Sequence, residues 1–276
     1  MALYKDDAIV LRRLDYSETS QVLLMLCRSH GAQRMIAKGV KRGTRQKASV
    51  GIDLLELGQV AFSRRDGSAA QLATMTEWRQ IARHDAARRD LVEWYAVQYA
   101  AEITALLLEE SDPHPGLFEA LLRCLDCESV PGVPDLTIAR LAVYQAALLR
   151  ATGLLPQFQA CVGCGGSAGD SAECYFSSRQ GGLLCRDCEP AAVEKRRIQA
   201  STVHVLSRLS SGSSLLDSGC SIVPGNSSAE STLEPAHSNQ AAWLGAFDLC
   251  DYHITETVSR PPRLSQPLRD ALRGSG

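Results

Sequence analysis

Four cysteines carry the sharpest chemical signal in this chain. Cys161-Val-Gly-Cys164 and Cys185-Arg-Asp-Cys188 are two C-x-x-C pairs twenty residues apart, a spacing at which two tight turns bring four thiolates around one metal ion. Gly163, Gly165 and Gly166 let the first turn fold back, and Gly181-Gly182 suit a hairpin leading into the second. Four thiolates would hold Zn2+ in a closed tetrahedron with no position left for water, which is a structural role and not a hydrolytic one. Free thiols or a disulfide are the competing states, and a large chain without an export signal favours metal over oxidation. Cys174, between the pairs, is a spare thiol in this reading. Cys124 and Cys127 share the C-x-x-C spacing, but they sit at a helix end with no second pair nearby and read as buried apolar residues.

The second signal is a run of cations. Arg34, Lys38, Lys41, Arg42, Arg45 and Lys47 fall within fourteen residues, and no Asp or Glu occurs between Glu18 and Asp53. Because the whole chain has a net charge of −2, this is a local anion-binding surface and not a generally basic protein. A run of like charge repels itself, so it belongs either to a solvated loop or beside a polyanion such as a nucleic-acid backbone. Gly39 and Gly43 interrupt the charges and allow the backbone to turn close to a ligand.

The elements that would hold these residues differ along the chain. Up to about residue 80 the pattern alternates in short strands: Ala8–Leu14, Gln21–Leu26, Ala32–Ala37, Ile52–Leu57 with Gln59–Phe62, and Ala70–Met75. Turn-forming residues separate them, among them the Asp66-Gly67 hairpin signal. Five strands in that length fit a small closed barrel better than a sandwich, and an oligonucleotide-binding (OB) barrel is the obvious candidate, with the basic loop between its third and fourth strands. Tyr4, Tyr16 and Phe62 are the aromatics available for base stacking, and each reads first as core or edge packing.

From Arg79 the period becomes helical. Residues 80–110 present an apolar stripe that includes Leu91, Trp94, Tyr95, Ile103 and Leu106. Helices follow over Pro115–Asp126 and Pro134–Thr152 and, beyond the clasp, over Pro190–Ser211, the last carrying a basic patch at Lys195, Arg196 and Arg197. The Ser-, Gly- and Pro-rich stretch 210–240 reads as a disordered surface insertion. Order resumes in an amphipathic helix over Ala241–Val258, and an Arg- and Pro-containing tail ends the chain. The fold class is therefore α+β and multidomain: an OB barrel over residues 1–79, then a mainly helical domain over 80–276 that contains the zinc clasp 161–188.

Composition excludes several classes. With 45% hydrophobic and 22% charged residues the chain is long enough, at 276, to bury a real core, yet no apolar run reaches membrane-span length. The start, with Asp6 and Asp7 leading into a strand, is not a secretory signal, and a cytoplasmic location is expected. Gly39-Val-Lys-Arg-Gly43 has the wrong spacing for a phosphate loop, and no dinucleotide fingerprint or nucleophile elbow occurs. The six histidines are scattered, and His253 reads as a packed, hydrogen-bonded residue. No catalytic residue is assigned. A binder is the leading class; a zinc-containing OB-fold RNA-binding or interaction module of transcription or translation is the alternative.

Tyr16-Ser-Glu-Thr-Ser20, Gly31, Ile36-Ala-Lys38-Gly39-Val-Lys-Arg42, the helical middle, the four-cysteine clasp and Leu249-Cys-Asp-Tyr-His253 together closely resemble the bacterial RecO family of recombination and repair mediators. The resemblance covers nearly the full length and is most specific over 16–43 and 161–188. It implies an N-terminal OB barrel that binds single- and double-stranded DNA, a helical domain with a zinc clasp, and annealing of complementary strands at the nucleoid. It also implies RecR and the single-strand-binding protein as partners, so that RecA is loaded on DNA. Lys38, Lys41 and Arg42 would serve the DNA and the four cysteines the metal. The Ser-rich insertion is longer than the family pattern, and the Arg260–Arg273 tail matches it loosely.

Overall fold

The computed structural model describes residues 2–42, 51–64, 72–126, 134–167, 174–211 and 240–274. The chain divides into two compact units, Met1–Asp126 and Cys127–Gly276. Arg45 and Lys47, Cys127, the Asp66-Gly67 turn and most of the Ser-rich insertion lie outside the described residues.

In the first unit, β1 (Ala2–Asp15), β2 (Gln21–Cys27), β3 (Gly31–Ala37), β4 (Leu57–Arg64) and β5 (Ala73–Ala82) close into a barrel in the order β1-β2-β3-β5-β4. All pairings are antiparallel except β3 with β5, and β4 returns to β1, which is the five-stranded OB arrangement. Alternation supplies the interior: Leu23, Met25 and Cys27 from β2, Met35 and Ala37 from β3, and Val60 and Phe62 from β4 turn inward with Ala8 and Val10 of β1. The fourth strand runs unbroken over Leu57–Arg64 and does not begin at Ile52, because Leu55 takes a left-handed φ of 64° that ends regular strand pairing before it. Ile52 is still buried in the barrel core.

Residues 80–90 correct the helical reading of 80–110. β5 continues to Ala82, where Leu57 is its partner, and α1 begins only at Leu91 (Leu91–Leu107). Asp90 sets that start: its side chain accepts the N–H of Glu93 at 2.9 Å, satisfying one of the donors a helix leaves free. After α1, residues 108–114 form a strap along β3. Glu110 bridges Ala32 in parallel, Ser111 N–H donates to the Ala32 carbonyl at 2.9 Å, and the Ser111 hydroxyl receives Arg64 at 2.6 Å. The strap thus takes up β3 where β5, paired only from Met35 onward, no longer reaches. α2 (Pro115–Asp126) completes the unit, with Arg28 of the barrel pairing with Glu119 and lying 4.6 Å over the ring of Phe118.

The second unit opens with α3 (Pro134–Ala151) and a small sheet of β6 (Gln157–Cys161), β7 (Cys174–Ser177), β8 (Gly182–Leu184) and β9 (Arg196–Ile198), ordered β6-β8-β7-β9. α4 (Ala200–Ser210), α5 (Gln240–Val258) and α6 (Ser265–Gly274) follow, and α3, α4 and α5 pack together. Here the expected Pro190–Ser211 helix is corrected. Its first half is a short turn and then β9, so Arg196 and Arg197 lie on a strand, and helix begins only at Ala200. Arg196 stacks 3.5 Å over the ring of Tyr252, which donates to Glu194. The C-terminal stretch read as a tail is largely α6. Among the described residues no helix is long and apolar enough to cross a membrane.

Candidate nucleic-acid interface and metal centre

Pairing registers place the cations. Across β1, β2 and β3, Arg12, Leu24 and Arg34 form one row and Leu14, Val22 and Ile36 the next, both on the outside of the barrel. Asp15, Gln21 and Ala37 form the last shared row. The β1–β2 turn (16–20) and the basic turn that starts at Lys38 therefore leave from the same end of the barrel. The two turns are joined: Lys41 N–H donates to the Thr19 carbonyl at 3.2 Å, and Lys41 Nζ reaches Asp15 at 2.9 Å. Lys41, with Gln21 behind it, holds the Asp15 carboxyl below its ordinary pKa. Gly39 has the left-handed φ of 72° that the tight turn requires, and Arg42 N–H closes it onto the Gly39 carbonyl.

The predicted cations thus fall into three groups. Arg34 is spoken for by Glu110 of the strap, and Lys41 by Asp15. Lys38 and Arg42 are exposed and have no ion-pair partner among the described residues. Arg45 and Lys47 lie in the part of the loop outside the described residues. Sequence reasoning missed Arg12, which stands exposed on β1 in the row of Arg34. Only the register, Arg12 opposite Leu24 opposite Arg34, could have found it. It also misplaced one aromatic. Tyr4 and Phe62 do pack, stacking with centroids 5.4 Å apart, but Tyr16 is 67% exposed at the barrel end.

The four predicted ligand cysteines come together in the second unit. Cys161 ends β6 and Cys185 follows β8, so the sheet brings the two knuckles side by side; their four sulfurs all lie within 4.8 Å of one another. Cys164 Sγ and Cys185 Sγ are 3.8 Å apart, and a tetrahedral four-sulfur zinc site with bonds of about 2.3 Å has edges of about 3.8 Å. At Gly163 a Cβ would meet Cys188 Sγ at 3.0 Å, so the second knuckle approaches where a side chain is missing. Burial opposes ionisation of Cys161, yet the N–H groups of Cys185, Cys164 and Gly163 aimed at its sulfur bring the thiol down to about 6. At Cys188, hydrogen bonding with the sulfurs of Cys185, Cys161 and Cys164 pushes the thiol up to about 12. Four sulfurs this close cannot all be thiolates without a cation among them, and a divalent, sulfur-loving ion fits the donor set. Cys174 is buried beside the clasp with its thiol raised to about 11, first by burial, and Cys124 is buried in α2 as expected.

Behind the clasp, His253 of α5 is buried and ties the unit together. Its Nε2 lies 3.0 Å from the Leu154 carbonyl, which can only accept, so Nε2 carries the proton and Nδ1 accepts from the Ser178 hydroxyl at 2.7 Å. Burial holds this imidazole below its ordinary pKa, in the neutral form that pairing requires.

Residues 1–82 match the family model for the N-terminal part of recombination protein O, and residues 88–219 match the one for its C-terminal part. The chain belongs to the RecO family. Among proteins named DNA repair protein RecO, that of Anaeromyxobacter sp. (strain Fw109-5) is 31% identical over 185 residues, spanning 67% of this chain and 70% of its own length. The Myxococcus xanthus (strain DK1622) RecO protein is 31% identical over 212 residues, 76% of this chain and 81% of its own. The Bacillus pumilus (strain SAFR-032) RecO protein is 31% identical over 189 residues, 67% and 68% respectively. Both RecO segments, the barrel and the clasp-bearing unit, are thus present in one chain.

Proposed function

We propose that this protein is a DNA-binding recombination and repair mediator. On this reading it binds single- and double-stranded DNA through its barrel, anneals complementary strands, and works with RecR and the single-strand-binding protein so that RecA is loaded. It acts in the cytoplasm at the nucleoid and catalyses no bond-making step. One observation carries the reading: a RecO-family chain bears an OB barrel with Lys38 and Arg42 solvent-facing on a turn hydrogen-bonded to the β1–β2 loop. In OB folds this loop, with the β2–β3 face, is where oligonucleotides lie. Cations held there neutralise phosphates without reading bases, and annealing demands that neutralisation because it brings two polyanions together.

Cys161, Cys164, Cys185 and Cys188 would hold one Zn2+ per chain. A four-thiolate zinc ion supplies folding energy and no open coordination position, so its contribution is the shape of the second unit. The reading is tested by strand annealing with and without the single-strand-binding protein. Acceleration of annealing, retained when the strands are coated and extended by RecR to RecA loading, is expected. Failure to bind any DNA at low salt, or preference for RNA over DNA in competition, would remove the reading and favour the RNA-binding alternative.

A further inference from the structure

Tyr16 has no structural employment that explains its position. The residue is 67% exposed, and its side chain makes no ring contact or hydrogen bond among the described residues. Its backbone, by contrast, is held firmly. Tyr16 N–H donates to the Ser20 carbonyl at 3.0 Å, Ser17 N–H donates to the same carbonyl at 3.2 Å, and Ser20 N–H turns back to the Ser17 hydroxyl at 3.1 Å. A large aromatic carried into water by a pinned turn loses little entropy on binding, the condition for a recognition residue rather than a packing one.

Its surroundings state what it would recognise. Leu14, two residues earlier at the end of β1, is 65% exposed and adds apolar surface to the same end of the barrel. Beyond the shared row Asp15–Gln21–Ala37, Tyr16 and Lys38 are the first residues after β1 and β3, whose ends stand about two strand spacings, or 10 Å, apart. Lys38 and Arg42 offer unpaired positive charge, whereas the acids nearby are either engaged, as Asp15 is by Lys41, or out on the β1–β2 turn, as Glu18 is. An aromatic face beside phosphate-binding cations fits a nucleotide whose base is free to stack, and a base inside a duplex is not free.

Resting on the DNA-binding reading above, we propose that Tyr16 is a base-stacking residue selective for single-stranded nucleic acid, with Lys38 and Arg42 taking the adjoining phosphates. The barrel end would then handle the two forms of DNA differently. Duplex is held by charge alone, and an unpaired strand by charge and one stacked base.

The test uses the full chain and compares a labelled oligothymidylate with a blunt duplex, by anisotropy over a salt series. Tyr16→Ala should weaken oligothymidylate binding by about 5- to 150-fold, the loss of one stacked base. Duplex affinity, the salt slope of both ligands and the melting temperature should stay at wild-type values. Tyr16→Trp should restore single-strand binding, and Tyr16→Leu, which keeps apolar bulk without a π face, should not. Equal weakening of both ligands, full binding by the Leu variant, or a lowered melting temperature for the Ala variant would each overturn the proposal. Lys38→Ala with Arg42→Ala separates the two claims. If that double variant weakens both ligands while Tyr16→Ala changes neither, the DNA surface stands and the stacking role falls; if it weakens neither, the surface itself is elsewhere.

Discussion

The side-chain oxygen of Gln21 accepts the backbone N–H of Ile52 at 2.9 Å, so the first residue of β2 grips the chain where the basic loop returns to the barrel. Gln21 is wholly buried, and its amide nitrogen donates to Asp15 at 3.2 Å, which in turn receives Lys41. One polar chain, Ile52 to Gln21 to Asp15 to Lys41, therefore ties the far end of the loop to its near end. Gln21→Leu keeps the volume and leaves the Ile52 N–H without its acceptor, at a cost of about 1–3 kcal/mol. Urea unfolding should show the loss, and hydrogen exchange should show the Ile52 amide unprotected in a barrel that is otherwise intact.

Lys38→Ala with Arg42→Ala should weaken binding to all DNA sequences alike and lower the log–log salt slope by about 0.7–0.9 for each phosphate left without its cation. Lys41→Ala should do less to the slope, because its charge is already matched by Asp15. A double variant with the wild-type slope would contradict the assignment of these two residues.

Removal of metal should act on the second unit. Metal analysis should find one zinc per chain, and chelation under denaturing conditions should release it with four newly titratable thiols. Cys188→Ser should lose the metal and make residues 160–189 sensitive to protease, since binding energy there is folding energy. DNA affinity at low salt should change far less than in the Lys38 and Arg42 variant.

His253 predicts a pH dependence. In the unfolded chain its pKa is about 6.5; in the fold it lies lower, because burial disfavours the imidazolium. Between the two values the unfolded state binds more protons, so the stabilisation is complete above about 6.5 and declines as pH falls toward the folded value. Urea midpoints across this window should drop with acid. His253→Gln, which can still donate to the Leu154 carbonyl, should remove that part of the slope.

Arg269 of α6 meets the buried carboxylate of Asp251 on α5 at 2.7 Å and Asp248 at 2.9 Å, and the Ser265 hydroxyl also donates to Asp251 at 2.7 Å. Arg269→Met leaves Asp251 a buried charge with one partner fewer. Complete loss of a buried pair costs about 3–5 kcal/mol, and the partial exposure of Arg269 reduces this to about 2–3 kcal/mol. Asp251→Asn with Arg269→Met should recover part of the loss, which thermal unfolding of the single and double variants would measure.

The strands are legible in the sequence where side-chain alternation has a barrel interior to answer to, as at Leu23, Met25 and Met35. The clasp is legible because thiolate spacing is a local constraint. What cannot be read is whatever depends on a distant partner. β9 exists because Cys174, Tyr175 and Phe176 on β7 pair with it, and nothing within Lys195–Ile198 announces that. Arg34 reads as a free cation because Glu110, its partner, is seventy-six residues away. The start of α1 is readable after all: Asp90-Leu-Val-Glu93 is a capping sequence, overshadowed by the helical stripe extended back to residue 80.

β9 is also the outermost strand of its sheet, and its outward edge is where a second copy of the chain could add a strand. Arg196 and Arg197 stand exposed on that three-residue edge. Two like charges on a very short strand disfavour self-pairing, so the same arginines that sequence alone would offer to a polyanion also blunt a sheet edge. A short, charged outer strand of this kind is a poor template for edge-to-edge pairing of the clasp-bearing sheet.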